Sequence, residues 1–368
     1  MAAISNIEWT DRTWNPVRGC SIVSPGCVNC YAMKFAHRFS GEGKAYEGLT
    51  KQTKAGPQWT GKVRLVEDAL LEPLKWRKPQ RVFVNSMSDL FHELVPDEFI
   101  DRVFAVMALA PHHIFQILTK RPLRMRDYLK SRATSAQFWK DAARIVGYSL
   151  EFQGVSLVWY PLPNVWLGVS CEDQRRADER IPLLLQTPAA VRFISAEPLL
   201  GPIEIRGPKE TCGDCDPCIG GRPDQCAVGG YYTGALHPDG IHWVIVGGES
   251  GPKSRPCDIA WIRSIIEQCQ AETVPAFVKQ LGTEPRGSCR WRHHDKYPPE
   301  WLDKDGCLPS VSGQPAVDLC HAVDDSWGPC KPKLKSRKGG DPSEWPADLR
   351  VREFPPLFTT NAKRLKGA

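Results

Sequence analysis

No stretch of this 368-residue sequence is apolar over the ~18–20 residues that a membrane-crossing helix needs. The opening Met1-Ala2-Ala3-Ile4-Ser5-Asn6-Ile7-Glu8-Trp9 lacks both a basic segment and an apolar core. No secretory leader is therefore expected, and the chain is expected in the cytoplasm. Internal repeats are missing too. The composition of long disorder is also absent: 42% of residues are hydrophobic and 24% charged, which is ordinary for a globular chain. The length lets most apolar surface be buried without disulfide or metal staples. A strong charge is missing as well. A net charge of +6 is compatible with a nucleic-acid partner and does not require one.

Cysteine and tryptophan are what the sequence has in quantity. Thirteen Trp serve either as packing or as platforms for stacked bases. Fourteen Cys in a reducing compartment point to metal or cluster binding rather than to disulfides. They fall into groups: Cys20, Cys27 and Cys30; then Cys212, Cys215, Cys218 and Cys226; then Cys289, Cys307, Cys320 and Cys330. Cys171, Cys257 and Cys269 stand alone.

Short apolar runs at 81–86, 113–119, 164–170, 191–195, 242–246 and 276–279 read as strands buried on both faces. Helical spacing recurs between them at 97–110, 173–185 and 260–269. The alternation predicts an α/β fold with a parallel sheet or barrel of about six βα units. Residues 207–240, rich in Gly, Pro and Cys, read as an insertion between strands. Residues 282–368 read as a loop-rich extension over a first region spanning 1–281, with a basic run at 331–338.

The strongest local signal is Trp14-Asn15-Pro16-Val17-Arg18-Gly19-Cys20, followed by Cys27-Val28-Asn29-Cys30-Tyr31-Ala32. Its three cysteines stand as C-x6-C-x2-C. Three thiolates leave a tetrahedral zinc one ligand short, so zinc needs a distant partner, with His37 in range. On a four-iron cluster, three thiolates leave one iron open to a small molecule. Spacing alone keeps both readings. The N-terminal position, heading a six-unit α/β chain, favours the cluster.

The sequence resembles the phage Gp37/Gp68 family of radical S-adenosylmethionine proteins. The resemblance rests on 13–32, on 82–91 (Val82-Phe83-Val84-Asn85-Ser86-Met87-Ser88-Asp89-Leu90-Phe91), on 115–122, on 244–252, and on Arg337-Lys338-Gly339-Gly340-Asp341 and Glu344-Trp345-Pro346. The usual cysteine spacing of such proteins is C-x3-C-x2-C, and here the first gap is three residues longer. The resemblance implies a partial (β/α)6 barrel of radical S-adenosylmethionine type, with a [4Fe–4S] cluster on Cys20, Cys27 and Cys30. It also implies that S-adenosylmethionine chelates the open iron and is split by one electron, giving a radical that abstracts hydrogen from substrate.

Active sites on such barrels lie at the C-terminal ends of strands. Ser86, Ser88, Asp89, Ser170, Glu172, Gly247, Gly248 and Glu249 are expected there as cofactor contacts. For Ser86, Ser88 and Asp89, a helix N-cap cluster is the alternative. Lys120, Arg121, Glu197 and Lys279 are the candidates for substrate contacts, with loop charges or structural ion pairs as alternatives. Cys212, Cys215, Cys218 and Cys226 read as a zinc knuckle or an auxiliary iron–sulfur cluster. Cys289, Cys307, Cys320 and Cys330, with His293, His294 and His321, form a second candidate zinc set. Cys171 and Cys257 read as buried packing residues or radical-quenching thiols.

Phages with this chemistry hypermodify thymine. The resemblance therefore implies DNA as partner, a reductant protein, no membrane, and a host cytoplasm. The implied activity is a radical isomerase that moves a glycyl-type aminoacyl substituent on modified thymine from nitrogen to carbon, protecting the viral genome from restriction. Two alternatives stand beside it. One is a different radical enzyme, a lesion lyase or methylase, acting on DNA or a small molecule. The other is a zinc-stabilised nucleic-acid binder.

Overall fold

A computed structural model of the chain describes residues 5–133, 137–147, 161–205, 235–236, 240–287 and 334–356. The insertion cysteines 212–226, the set at 289–330 and the three histidines grouped with it lie outside the described residues.

Seven strands form one sheet: β1 (Arg12–Trp14), β2 (Arg81–Val84), β3 (Ile114–Thr119), β4 (Val165–Ser170), β5 (Val191–Ala196), β6 (Trp243–Gly247) and β7 (Ala276–Gln280). All neighbours are parallel and the spatial order is the sequence order. Parallel crossovers are right-handed. With no reversal of strand order, every crossover lies on one face, and the sheet curls into a half-barrel. The α/β class expected from the sequence is what the chain adopts. The strand count is seven because the three-residue β1 pairs beside β2.

The helices of eight or more residues are α1 (Tyr31–Arg38), α2 (Asp97–Leu109), α3 (Pro122–Ala133), α4 (Gln137–Ile145), α5 (Gln174–Leu185) and α6 (Ile259–Ala271). The sequence pattern found α2, α5 and α6. It missed α3, whose Leu123, Met125, Tyr128 and Leu129 are diluted by five charged residues. No helix among the described residues is long and apolar enough to cross a membrane.

Side chains alternate across each strand. One set, including Val82, Val84, Phe115, Ile117, Leu167, Val169, Ile194, Val244 and Val246, packs outward under the helices. The other set faces the concave side, where Trp9, Phe83, Trp166, Phe193, Trp243 and Phe277 form an aromatic floor. Trp243 meets Phe277 and Trp166 edge-on at 6.1 and 5.9 Å. Continuing the same alternation toward the C-terminal strand ends replaces aromatics by Lys120, Ser170, Glu197 and Lys279. The curled sheet is thus dry at one end and polar at the other.

Residues 334–356 cover the β7 edge. Val278 N donates to Val351 O at 2.8 Å and Glu353 N to Ala276 O at 2.8 Å. Trp345 is fully buried and its indole N–H donates to Gly339 O at 3.0 Å. An otherwise open edge strand is thereby protected.

His113, just before β3, is fully buried beside Trp76 and Phe115. Its Nε2 bonds Pro73 O at 3.2 Å and its Nδ1 has no partner. Burial, with His112 beside it, holds its pKa down to about 4. The unfolded chain binds this proton near pH ~6.5. Stability is therefore complete above that pH and falls as the pH drops toward 4, by up to roughly 3 kcal/mol. His113→Phe is expected to flatten this part of the acid dependence. Urea midpoints at pH 7 and 4.5 measure it, and an unchanged difference between the two proteins would contradict it.

Candidate active site at the strand ends

The loop carrying the cysteines begins at Gly19, which has φ +89° and pairs with Ser88 beyond β2. A Cβ there would stand 2.3 Å from Lys62 O, so only glycine fits. Val17-Arg18 pairs antiparallel with Arg64-Leu65 and fixes the entry to the loop. A 3-10 turn, Pro25–Cys27, follows, and Cys30 caps α1. Cys20, Cys27 and Cys30 are all free thiols and all partly buried.

The three sulfurs sense one another electrostatically. Burial first, then the Asp89 carboxylate and the other two sulfurs, pushes the Cys20 thiol up to about 12, against the pull of Arg121. Burial also raises Cys30. Among the described residues, no three His, Cys, Asp or Glu side chains are arranged to hold a single metal ion. His37 Nδ1 bonds Thr50 Oγ1 at 3.0 Å. Three free thiols on one clamped loop are a donor set of the kind that iron–sulfur clusters use.

Three ionic clamps hold this loop, one beside each cysteine. At Cys20 the clamp is Arg121, whose Nη2 donates to Ser21 Oγ at 2.6 Å while Nη1 lies 3.8 Å from Cys20 Sγ. Nη1 also donates to Asp89 Oδ2 at 3.1 Å, and Nε donates to Glu93 Oε1 at 2.8 Å. Burial works against the Arg121 charge, but Asp89, Cys20 and Glu93 together outweigh it and raise its pKa. His92 Nε2 meets the same Ser21 hydroxyl at 3.0 Å. Burial, then Arg121, lowers the His92 pKa.

Near Cys27 the clamp is Glu172, which is fully buried. It accepts from Ser24 Oγ and, at 2.9 Å, from Arg180 Nη1. Gly26 lies flat against it, and a Cβ there would reach to 2.3 Å from Oε1. Near Cys30 the clamp is Glu249, which accepts from Asn29 Nδ2 at 2.9 Å and from three donors of Arg255. Burial alone would raise the Glu249 pKa, but Arg255 and Asn29 lower it.

The strand-end residues singled out from sequence do converge here, but several are committed to the protein itself. Asp89 accepts from Thr119 Oγ1 (2.7 Å), Phe91 N (3.0 Å), Lys120 N (3.1 Å) and Arg121 Nη1 (3.1 Å). Those four donors use its four acceptor positions, so it positions Arg121. Ser88 Oγ donates to Val17 O and Ser86 Oγ to Asn15 Oδ1. Gly248 is explained by packing, since a Cβ there would lie 2.2 Å from Leu281 O. Gly247 carries the carbonyl that accepts from Leu199 N.

Lys120 reaches Ser170 Oγ at 2.9 Å and Glu172 Oε1 at 3.8 Å. Lys279 pairs with Glu197 at 2.6 Å. These two lysines supply the cations of the concave polar layer. Cys171 and Cys257 belong to the outer core behind the sheet and are buried there. Ser24, Asn29, Arg180 and Arg255 were not singled out from sequence, because their role lies only in long-range pairing.

A cleft of about 980 Å³ opens beside Lys120 and Arg121, between α3 and α5.

The clamps give two expected outcomes. Asp89→Asn leaves the buried Arg121 without its main counter-charge and should cost about 3 kcal/mol or more in a denaturant titration. Gly26→Ala must lift the loop from Glu172, so the metal-free thiols should react with a disulfide reagent several-fold faster than in the parent. Equal labelling rates would mean that this contact does not hold the loop.

A family profile described as Protein of unknown function (DUF5131) matches residues 4–307. No curated protein and no solved structure matched the chain. The match spans the clamped loop, every described strand and all three clamp carboxylates, and the chain belongs to the DUF5131 family.

Proposed function

We propose that this chain is a radical S-adenosylmethionine enzyme on a partial-barrel scaffold, as its resemblance to the phage Gp37/Gp68 family suggests. Cys20, Cys27 and Cys30 would hold a [4Fe–4S] cluster. The observation that carries this reading is the set of three free thiols on one loop, each tethered from a different strand end, above a curled parallel sheet. When bound, the cluster supplies an electron to the sulfonium of S-adenosylmethionine and makes hydrogen abstraction from unactivated carbon accessible.

The chain's own residues do the rest. The aromatic floor of Trp166, Phe193, Trp243 and Phe277 excludes water from below. Lys120 and Lys279 offer positive charge to a carboxylate or phosphate. Ser170 and Glu197 hold those cations in place. Arg121 keeps positive charge against the Cys20 sulfur.

The proposed substrate is a modified thymine in viral DNA, with an aminoacyl substituent moved from nitrogen to carbon. The base must be extruded to reach the strand ends, at a cost of a few kcal/mol. A reductant protein supplies the electron. The host cytoplasm is the proposed location.

Anaerobic purification tests the cofactor. Brown protein with at least about four iron and four sulfide per chain is expected, and Cys20→Ala, Cys27→Ala or Cys30→Ala should each lose them. Colourless protein carrying zinc alone would overturn the reading in favour of a zinc-stabilised binder. Given S-adenosylmethionine and deuterated substrate DNA, the reduced enzyme should carry label from the substrate into 5′-deoxyadenosine. A product of unchanged mass supports isomerisation, while loss or gain of mass points to a lyase or methylase.

A further inference from the structure

Residues 31–64 form a flap beside the cysteine loop. It consists of α1 and a hairpin, Thr50–Thr53 paired with Gly56–Trp59. A small core of Met33, Ala36, Tyr46, Leu49 and Trp59 holds it together and packs against Cys20 and Cys30. Trp59 N donates to Met33 Sδ, and His37 bonds Thr50, so helix and hairpin move as one piece.

Charge is concentrated here. The flap has seven Lys and Arg against two Glu, a net of +5. None of the seven is ion-paired among the described residues. Arg64 donates only to the carbonyls of Ala45 and Glu47. Elsewhere arginines are matched with carboxylates, as in Arg81–Asp11, Arg102–Glu67, Arg132–Asp101 and Arg255–Glu249. Arg38, Lys44, Lys51, Lys54 and Lys62 are exposed. The same flap carries an exposed aromatic stripe at helical spacing: Tyr31, Phe35 and Phe39 are 55%, 47% and 43% exposed. Phe35 and Phe39 lie with ring centroids 5.0 Å apart, and Tyr31 donates to Ser86 O at the end of β2.

Unmatched cations favour a polyanion, because each phosphate contact releases condensed counterions. Exposed rings leading toward a site favour a partner with flat, unstacked faces. An acidic protein surface would use the cations but not the stripe. We infer that the flap is a nucleic-acid docking surface. Its lysines hold the phosphodiester backbone, and Phe35 and Phe39 stack on unpaired bases adjoining the one delivered to the strand ends. This rests on the nucleic-acid part of the function proposed above and not on its radical chemistry.

Fluorescence anisotropy of labelled single-stranded and duplex DNA with the full-length protein tests it. Lys44→Glu/Lys51→Glu/Lys54→Glu should weaken both ligands about tenfold or more and reduce the salt slope by roughly two to three. The matched control Lys75→Glu/Arg77→Glu/Lys78→Glu lies in the turn before β2, at the opposite end of the sheet, and should change binding little. Phe35→Ala/Phe39→Ala should weaken single-strand binding about tenfold with the salt slope unchanged. Failure of the parent protein to bind DNA overturns both this inference and the nucleic-acid reading. DNA binding that the flap variants leave intact, or that the control loses equally, overturns the inference alone. So does intact DNA binding with lost electron uptake from an acidic redox protein. Lost DNA binding in a protein without iron or turnover supports the inference while the enzymatic reading falls.

Discussion

Buried carboxylates hold this site together. Asp89, Glu172 and Glu249 each sit at the end of a different strand, each nearly or fully buried. Each is compensated by an arginine: Arg121, Arg180 and Arg255. A buried charge survives only when paired and hydrogen-bonded. Each pair therefore fixes its local backbone, and each reaches the loop of 20–30 directly. A loop of small and β-branched residues has little core of its own to order it. Its conformation comes from strand ends far away in sequence, which turns the rigidity of the sheet into the placement of three sulfurs.

The sheet supplies that rigidity through its two faces. Continuous apolar runs made the strands visible in the sequence, because a parallel strand under helices is buried on both sides. The same runs concealed the gradient along the concave face, from Trp166 to Ser170 on β4 and from Phe277 to Lys279 on β7. Alternation alone assigns those residues to one side. Their meaning appears only once seven strands stand in register, with the aromatic layer below and the polar layer above.

Most of the fold class was legible, and so was the identity of the residues at the strand ends. Their partners were not. Asp89 reads from sequence as a polar group awaiting a ligand, yet Thr119, Phe91, Lys120 and Arg121 fill it from the next strand end and its own turn. Glu249 follows Gly247 and Gly248 at a strand end and reads as a ligand contact, yet its long-range partner is Asn29, 220 positions away in sequence. Gly248 reads as a place for a ligand to approach, but what approaches is the Leu281 carbonyl. Local pattern reports residue type and face. Satisfaction of a buried polar group is a property of the folded neighbourhood, and no spacing rule encodes it. The α1 flap went unseen because its helix is short and its hairpin polar, leaving neither period strong enough to register.

Charge is distributed by the same logic. Where side chains are buried, arginines such as Arg121, Arg180 and Arg255 meet carboxylates. Positive charge lies on the flap, where the cations are solvated and burial exacts no penalty for leaving them unpaired. Unpaired surface lysines add little to stability and repel one another weakly across water. Their clustering beside the thiol loop therefore does nothing for the fold. A field from a small patch decays within about 10 Å in salt, so it can act only on something that comes to this mouth of the barrel. The paired interior sets the sulfurs, and the role proposed for the flap is to select what is brought to them.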